Sequence, residues 1–220
     1  MLIELSKNEE DYLKALFSLQ YEKGVKKIGT NAIAAHLSVK PASANGMLKR
    51  LQEKKLVHLK KYGSIRLSDK GFKASVLLIR KHRLWESFLV DKLNFSWDKV
   101  HDIAEQLEHI KSVELIDKLD AYLGNPKVDP HGDEIPTPEG KMVFAEKKLL
   151  ANLALNVKAN VVGINDDYSE LLKYASKIGI DLNAQILVKE KHDFDGSLTI
   201  VVKEQSVNVS QKFSNNIYVA

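Results

Sequence analysis

The chain has 220 residues, 44% hydrophobic and 28% charged, carries a formal net charge of +4, and contains no cysteine. That last fact excludes disulfides, thiolate metal sites, iron–sulfur clusters and cysteine nucleophiles, so any metal must be held by oxygen and imidazole nitrogen. No run approaches the roughly eighteen consecutive apolar residues of a spanning helix, and the N-terminus (MLIELSKNEEDYLK) is charged within four residues, which argues against a spanning segment or signal peptide and predicts a soluble, cytoplasmic protein with no membrane partner.

The charge is unevenly spread. Residues 1–75 hold fifteen Lys and Arg against seven Asp and Glu, a net +8, which leaves −4 for the remainder. Such a split fits a polyanion partner for the first part and a cation or protein partner for the second, although a chance imbalance on solvated faces accounts for it equally well on charge alone.

In chain order, residues 8–22 place Tyr12, Leu13, Leu16, Phe17 and Leu19 at helical spacing, with Asn8 as the predicted N-cap and Gly24 as the stop. A short helix follows in TNAIAAHL with Thr30 as its cap, and after a break at residues 38–40 Pro41 opens a second helix, ASANGMLKRLQEKKL. Residues 56–60 and 65–67 read as two short strands around the turn KKYGS. Helix, turn, helix and hairpin make a winged helix.

A recognition helix must offer small and hydrogen-bonding groups near its N-terminus and cations that reach phosphate. With Met47, Leu48 and Leu51 assigned to the inward face, Lys40, Ser43, Ala44, Asn45, Lys49 and Arg50 are the predicted contacts, Ala42 or Ala44 being suited to a thymine methyl. Lys60, Lys61, Tyr62 and Arg66 on the wing would add phosphate or minor-groove contacts to double-stranded DNA. A protein-interaction module is the competing reading of any winged helix.

A long helix runs from Asp69 to about Leu93, followed by WDKVHDIAEQLEHI and SVELIDKLDAYLG, closed by Gly124. The apolar positions Val113, Leu115, Ile116, Leu119, Tyr122 and Leu123 exceed what one face of a lone helix needs, which fits a homodimer interface or an intramolecular core. Residues 124–140 hold four of the five prolines and three of the eleven glycines and are expected to form an irregular loop. After a helix-like or extended bridge at 141–150, NVKANVVGI, the short helix SELLKYASKIG, AQILVKEK, SLTIVVKE and NIYVA predict a small β-barrel-like domain. The expected fold is mainly α with a small β component: a winged helix-turn-helix DNA-binding domain at 1–73, a helical metal-binding and dimerisation domain at 74–140, and the β domain at 150–220.

His101, Glu105, Glu108 and His109 fall at i, i+4, i+7 and i+8, on one helical stripe, and His82 and Glu86 form a second i, i+4 pair. Burying carboxylates and imidazoles on such a stripe costs several kcal/mol unless a cation satisfies them; a solvated face is the alternative. Oxygen and imidazole donors without sulfur suit Mn(II) or Fe(II), while Zn(II) or Co(II) can substitute in vitro.

EDYLKAL, KPASANGMLKRL, RKHRLWESFL, KVHDIAEQLEH and DPHGDEIP, in this order, resemble the diphtheria toxin repressor (DtxR/MntR) family of metal-dependent regulators over nearly the whole chain, and the all-β tail resembles that family's SH3-like, FeoA-like third domain. The resemblance implies a repressor of metal homeostasis with metal as corepressor. It implies a first site of Asp11, His82, Glu105, Glu108 and His109, and a second of Glu86, His101, Asp129 and His131, completed by Asp167 or its neighbour Asp166, which equally suit a helix N-terminal cap. Carboxylates at positions 11 and 105 resemble the manganese-type subgroup, so Mn(II) is preferred to Fe(II). Lys14 departs from that subgroup, whose short members carry a glutamate there and bind two metals. A metal joining Asp11 to the dimerisation helices would fix the two winged helices at the spacing of two DNA half-sites. A metal-independent winged-helix regulator is the rival reading. A metallohydrolase would need a general base and an open cleft that the sequence does not indicate, so the chain is read as no enzyme.

Overall fold

The computed structural model describes residues 4–59, 64–165 and 168–220. They divide into two compact units, one drawn from Met1–His82, Glu108–Lys111 and Pro136–Met142, the other from Arg83–Leu107, Ser112–Ile135 and Val143–Ala220.

The first unit opens with α1 (Lys7–Phe17), and Ser6 rather than Asn8 is its N-cap. The reason is reciprocal bonding: the Ser6 hydroxyl accepts from the Glu9 backbone N–H while the Glu9 carboxylate accepts from the Ser6 N–H at 2.9 Å, which satisfies two donors at once. The helix predicted through residue 22 ends as a π-helical turn, Ser18–Glu22. Next come α2 (Thr30–His36), capped by Gly29 and not Thr30, and α3 (Pro41–Glu53), with Pro41 in its first turn as expected. Strands β1 (Val57–Leu59) and β2 (Ile65–Leu67) pair antiparallel, His58 opposite Arg66. One apolar core, including Leu13, Leu16, Phe17, Ile33, Leu48, Leu51 and Leu56, ties these elements together.

Ala44 corrects the sequence reading. It is completely buried in that core, whereas Met47, assigned inward, is only partly buried. Buried positions 44, 48 and 51 form the i, i+4, i+7 stripe of an α-helix, so Ala44 cannot meet a base.

Helix α4 (Asp69–Asp91) is followed by α5 (Val100–Leu107) and α6 (Val113–Tyr122). Because α5 stops at Leu107, Glu108 and His109 lie in the turn beyond it, not on the helical stripe expected for them. Gly124 follows α6 at φ +80°, the left-handed conformation that ends a helix. In the second unit β3 (Lys148–Leu149), a 3-10 turn (Leu150–Asn152), β4 (Lys158–Ile164), α7 (Ser169–Lys177), β5 (Gln185–Lys191), β6 (Leu198–Val202), β7 (Gln205–Val209), α8 (Gln211–Ser214) and β8 (Ile217–Val219) complete the chain. The strands form one antiparallel sheet of order β3-β8-β4-β5-β6-β7. Alternating burial along β6 follows from side chains pointing to opposite faces. None of the described helices is long and apolar enough to cross a membrane.

Candidate metal centres

The first constellation lies wholly within the first unit. Asp11, on α1, and Glu108 and His109 bring ligand atoms within 4.8 Å of one another. Lys81, on α4, holds the turn that carries the last two by donating to the carbonyls of Glu108 and Ile110 at 2.9 and 3.2 Å. The Nδ1 of His109 stands 2.6 Å from the Glu10 carboxylate. With Nδ1–H donated to that carboxylate, Nε2 is the ring atom turned toward the other two groups, 3.3 Å from Asp11 Oδ1 and 3.9 Å from Glu108 Oε1. Among the described residues neither His109 Nε2 nor Glu108 Oε1 has a hydrogen-bond partner, though both are buried.

Two carboxylate oxygens and an imidazole nitrogen converging this closely in a buried site are donors that a divalent cation satisfies together. The donor set therefore fits a metal. On the far side of Glu108, Oε2 accepts from Lys14 at 2.7 Å and contacts Nδ1 of His82. Burial alone would raise the Glu108 carboxyl; the His82 hydrogen bond and the Lys14 ammonium outweigh it and hold the group below the usual carboxylate range.

The second constellation lies wholly within the second unit. Glu86, completely buried on α4, has Oε1 3.5 Å from His101 Nδ1 and Oε2 3.6 Å from His131 Nδ1. The carbonyl of Trp97 accepts from His131 Nε2 at 2.8 Å, and the indole stacks on the imidazole at 6.0 Å between centroids. That bond fixes the proton at Nε2 and turns the Nδ1 lone pair toward Glu86. Asp129 joins Glu86 and His131 within ligand range. Its Oδ1 accepts the backbone N–H groups of His131 and Asp133 at 2.8 and 3.0 Å, so the carboxylate also shapes the loop. Burial, then the neighbouring Asp133 and Glu86 carboxylates, push the Asp129 carboxyl up to about 7 despite His131 and Arg83.

Gly132 sets this loop against β4. Its φ is +90°, and a Cβ there would sit 2.1 Å from the Val162 carbonyl oxygen. The neighbouring His131 carbonyl accepts from the Ile164 N–H at 2.9 Å.

The structure thus brings Asp11, His82, Glu108 and His109 together in one unit and Glu86, His101, Asp129 and His131 together in the other. The Glu105 carboxylate lies 3.6 Å from His101 Nε2. Asp166 and Asp167, and Lys60, Lys61 and Tyr62 of the wing, lie outside the described residues. Of the DNA-contact residues, Lys40, Ser43, Asn45, Lys49 and Arg66 are exposed. Arg50 is exposed too, but its Nε lies 3.2 Å from the buried Glu9 carboxylate, so it braces α3 against α1. Sequence reasoning missed Glu10, whose only signal is adjacency to Asp11, and Trp97, whose contribution is partly a backbone carbonyl.

Comparison with known proteins agrees with this architecture. Residues 4–65 match the iron dependent repressor, N-terminal DNA binding domain; residues 68–137 match the iron dependent repressor, metal binding and dimerisation domain; residues 148–220 match the FeoA domain. A solved structure described as a manganese-dependent transcriptional repressor complex with manganese is 32% identical, covers 96% of this chain and 99% of that chain, and superposes with a TM-score of 0.90. The crystal structure of ScaR with bound Zn2+ is 33% identical over 97% of this chain and 99% of that chain, with a TM-score of 0.82. The iron-dependent repressor IdeR of Mycobacterium bovis is 31% identical over 60% of this chain and 57% of its own length, so the chain spans a little over half of that curated relative. With a winged helix, two buried carboxylate–imidazole clusters and a FeoA-type sheet in the matching order, the chain belongs to the iron-dependent repressor family, whose members are metal-dependent transcriptional repressors and not enzymes.

Proposed function

We propose that this chain represses transcription in the cytoplasm by binding operator DNA as a homodimer when a divalent metal occupies its carboxylate–imidazole centres, with Mn(II) as the physiological ion. The observation that carries the reading is the convergence of Asp11, Glu108 and His109 within the unit that also holds α3. A metal there would supply positive charge that joins α1 to the turn at residues 108–109. Helix α1 is in turn fixed to the end of α3 by Glu9, whose carboxylate pairs with Lys54 at 2.8 Å and Arg50 at 3.2 Å. A restraint on α1 therefore reaches the helix that presents Lys40, Ser43, Asn45 and Lys49 to the major groove, with Arg66 and the wing on the backbone.

All donors in both clusters are oxygen or imidazole nitrogen, and hard oxygen donors favour Mn(II) over the softer ions. Fe(II) is the competing ion, because the same donors accept it. A metal-independent regulator would have no use for two clusters of buried carboxylates and imidazoles, which without a cation oppose folding.

The reading is tested by fluorescence anisotropy on promoter DNA, titrating metal-stripped protein with Mn(II), anaerobic Fe(II) and Zn(II). At least tenfold tightening by Mn(II), lost in Glu108→Ala, is expected. Binding that ignores metal would overturn the corepressor mechanism, and tightening by Fe(II) alone would overturn the choice of manganese.

A further inference from the structure

Trp97 stands in the segment that joins α4 to α5 and makes three separate polar or stacking contacts, all within the second unit. Its carbonyl accepts from His131 Nε2 at 2.8 Å, and its indole lies over the same imidazole with 15° between the planes. Its Nε1–H donates to the Ser176 hydroxyl, on α7, at 2.8 Å. The partly buried indole also packs against the apolar core of the six-stranded sheet, a cluster that includes Leu172 and Ala175 of α7.

These contacts bear on His131 in a definite way. A hydrogen bond at Nε2 fixes the proton but still lets the imidazole plane rock about that bond; a flat ring stacked on its face removes the freedom and keeps Nδ1 turned to Glu86, 3.6 Å away. Tryptophan supplies the flat face and an N–H donor in one side chain, so the ring that steadies His131 is itself steadied by Ser176. The main chain of His131 leans the same way, since its carbonyl accepts from the Ile164 N–H of β4 at 2.9 Å. Both the backbone and the ring of this one residue are therefore held by elements of the sheet domain.

We infer that Trp97 is a positioning residue of the second centre that connects His131 to α7, so that an ion held by Glu86, Asp129 and His131 restrains α7, and a displaced α7 loosens the ion. The inference rests on the metal reading above. Such coupling is reciprocal: whatever binding energy the ion gains from a fixed α7 is returned as order in α7.

The test uses the full chain carrying Glu108→Ala, which leaves the second centre to titrate, alone and combined with Trp97→Leu, Trp97→Phe or His131→Ala. Isothermal titration with Mn(II) gives the count and affinity, amide hydrogen exchange with and without Mn(II) reads the order of α7, and circular dichroism verifies folding. Trp97→Leu keeps apolar bulk and the backbone carbonyl but loses the stacked ring, and it is expected to weaken Mn(II) by about 10–100-fold. Trp97→Phe keeps a stacked ring and loses only the bond to Ser176, and it should cost about threefold. Saturating Mn(II) should slow exchange in α7 in the parent protein and have no such effect in Trp97→Leu. Unchanged affinity in Trp97→Leu, or exchange in α7 of the parent that ignores Mn(II), overturns the inference while leaving the metal reading intact. If His131→Ala removes no Mn(II) from the count, the metal reading of this centre falls and the inference with it.

Discussion

Glu10 shows how much a residue outside the ligand set can decide. Its carboxylate, 2.6 Å from His109 Nδ1, accepts that N–H and so determines which ring nitrogen faces Asp11 and Glu108. Removing such a partner typically weakens a metal site by about 10–100-fold. Glu10→Ala should therefore weaken Mn(II) binding by about that factor in calorimetry while the far-ultraviolet spectrum is unchanged. Gly132 acts through backbone instead. Alanine there would need φ near +90° and a Cβ inside the Val162 carbonyl, so Gly132→Ala should cost about 2 kcal/mol in urea unfolding. It should also remove the ion held by Glu86 and His131 and spare the one held by Glu108. Trp97, stacked on His131 and one of only two tryptophans, offers a fluorescence signal for that second centre.

Among the elements, α1 carries the most. It supplies Glu9 to α3, Glu10 to His109, Asp11 to the metal centre and Lys14 to Glu108, all within two turns. The angle at which it starts is fixed by the Ser6–Glu9 capping box. Ser6→Ala should lower stability by ~1 kcal/mol in urea titration, and an unchanged midpoint would show that the Lys54 and Arg50 contacts alone hold Glu9. Helix α6 bears on assembly. Val113, Leu115 and Tyr122 are 55%, 39% and 65% exposed, while Ile116 and Leu119 are buried, so one face packs inside its unit and another leaves large apolar groups in solvent. A surface of this kind marks an interface. Leu115→Glu should weaken the dimer at least tenfold in sedimentation equilibrium and lower operator affinity with it; a dimer of wild-type strength would place the interface elsewhere.

At the scale of the molecule, the sequence by itself determined the order and type of the long elements. Helical periodicity in residues 8–17, 41–53 and 69–91 and alternation in 198–202 are local signals, written in neighbouring residues and largely independent of what packs against them. The same holds for the ligand chemistry, since a chain without cysteine that concentrates His, Glu and Asp in a few short motifs leaves few alternatives. One local signal was misread: the N-cap is Ser6 because Glu9, three residues on in the same helix, reaches back to it. Elsewhere local signals failed where packing had the deciding contact. Ala44 turned inward because the stripe of α3 that meets the core is 44, 48 and 51. The stripe read across residues 101–109 was divided, as α5 ends at Leu107 and His101 joins Glu86 while Glu108 and His109 join Asp11. Only the tertiary structure decided which stripe of α3 meets the core, how residues 101–109 divide between the two clusters, the ring nitrogens that His109 and His131 turn inward, and the pairing of Lys14 with Glu108. Each depends on atoms that lie tens of residues apart in the chain and become neighbours only through packing.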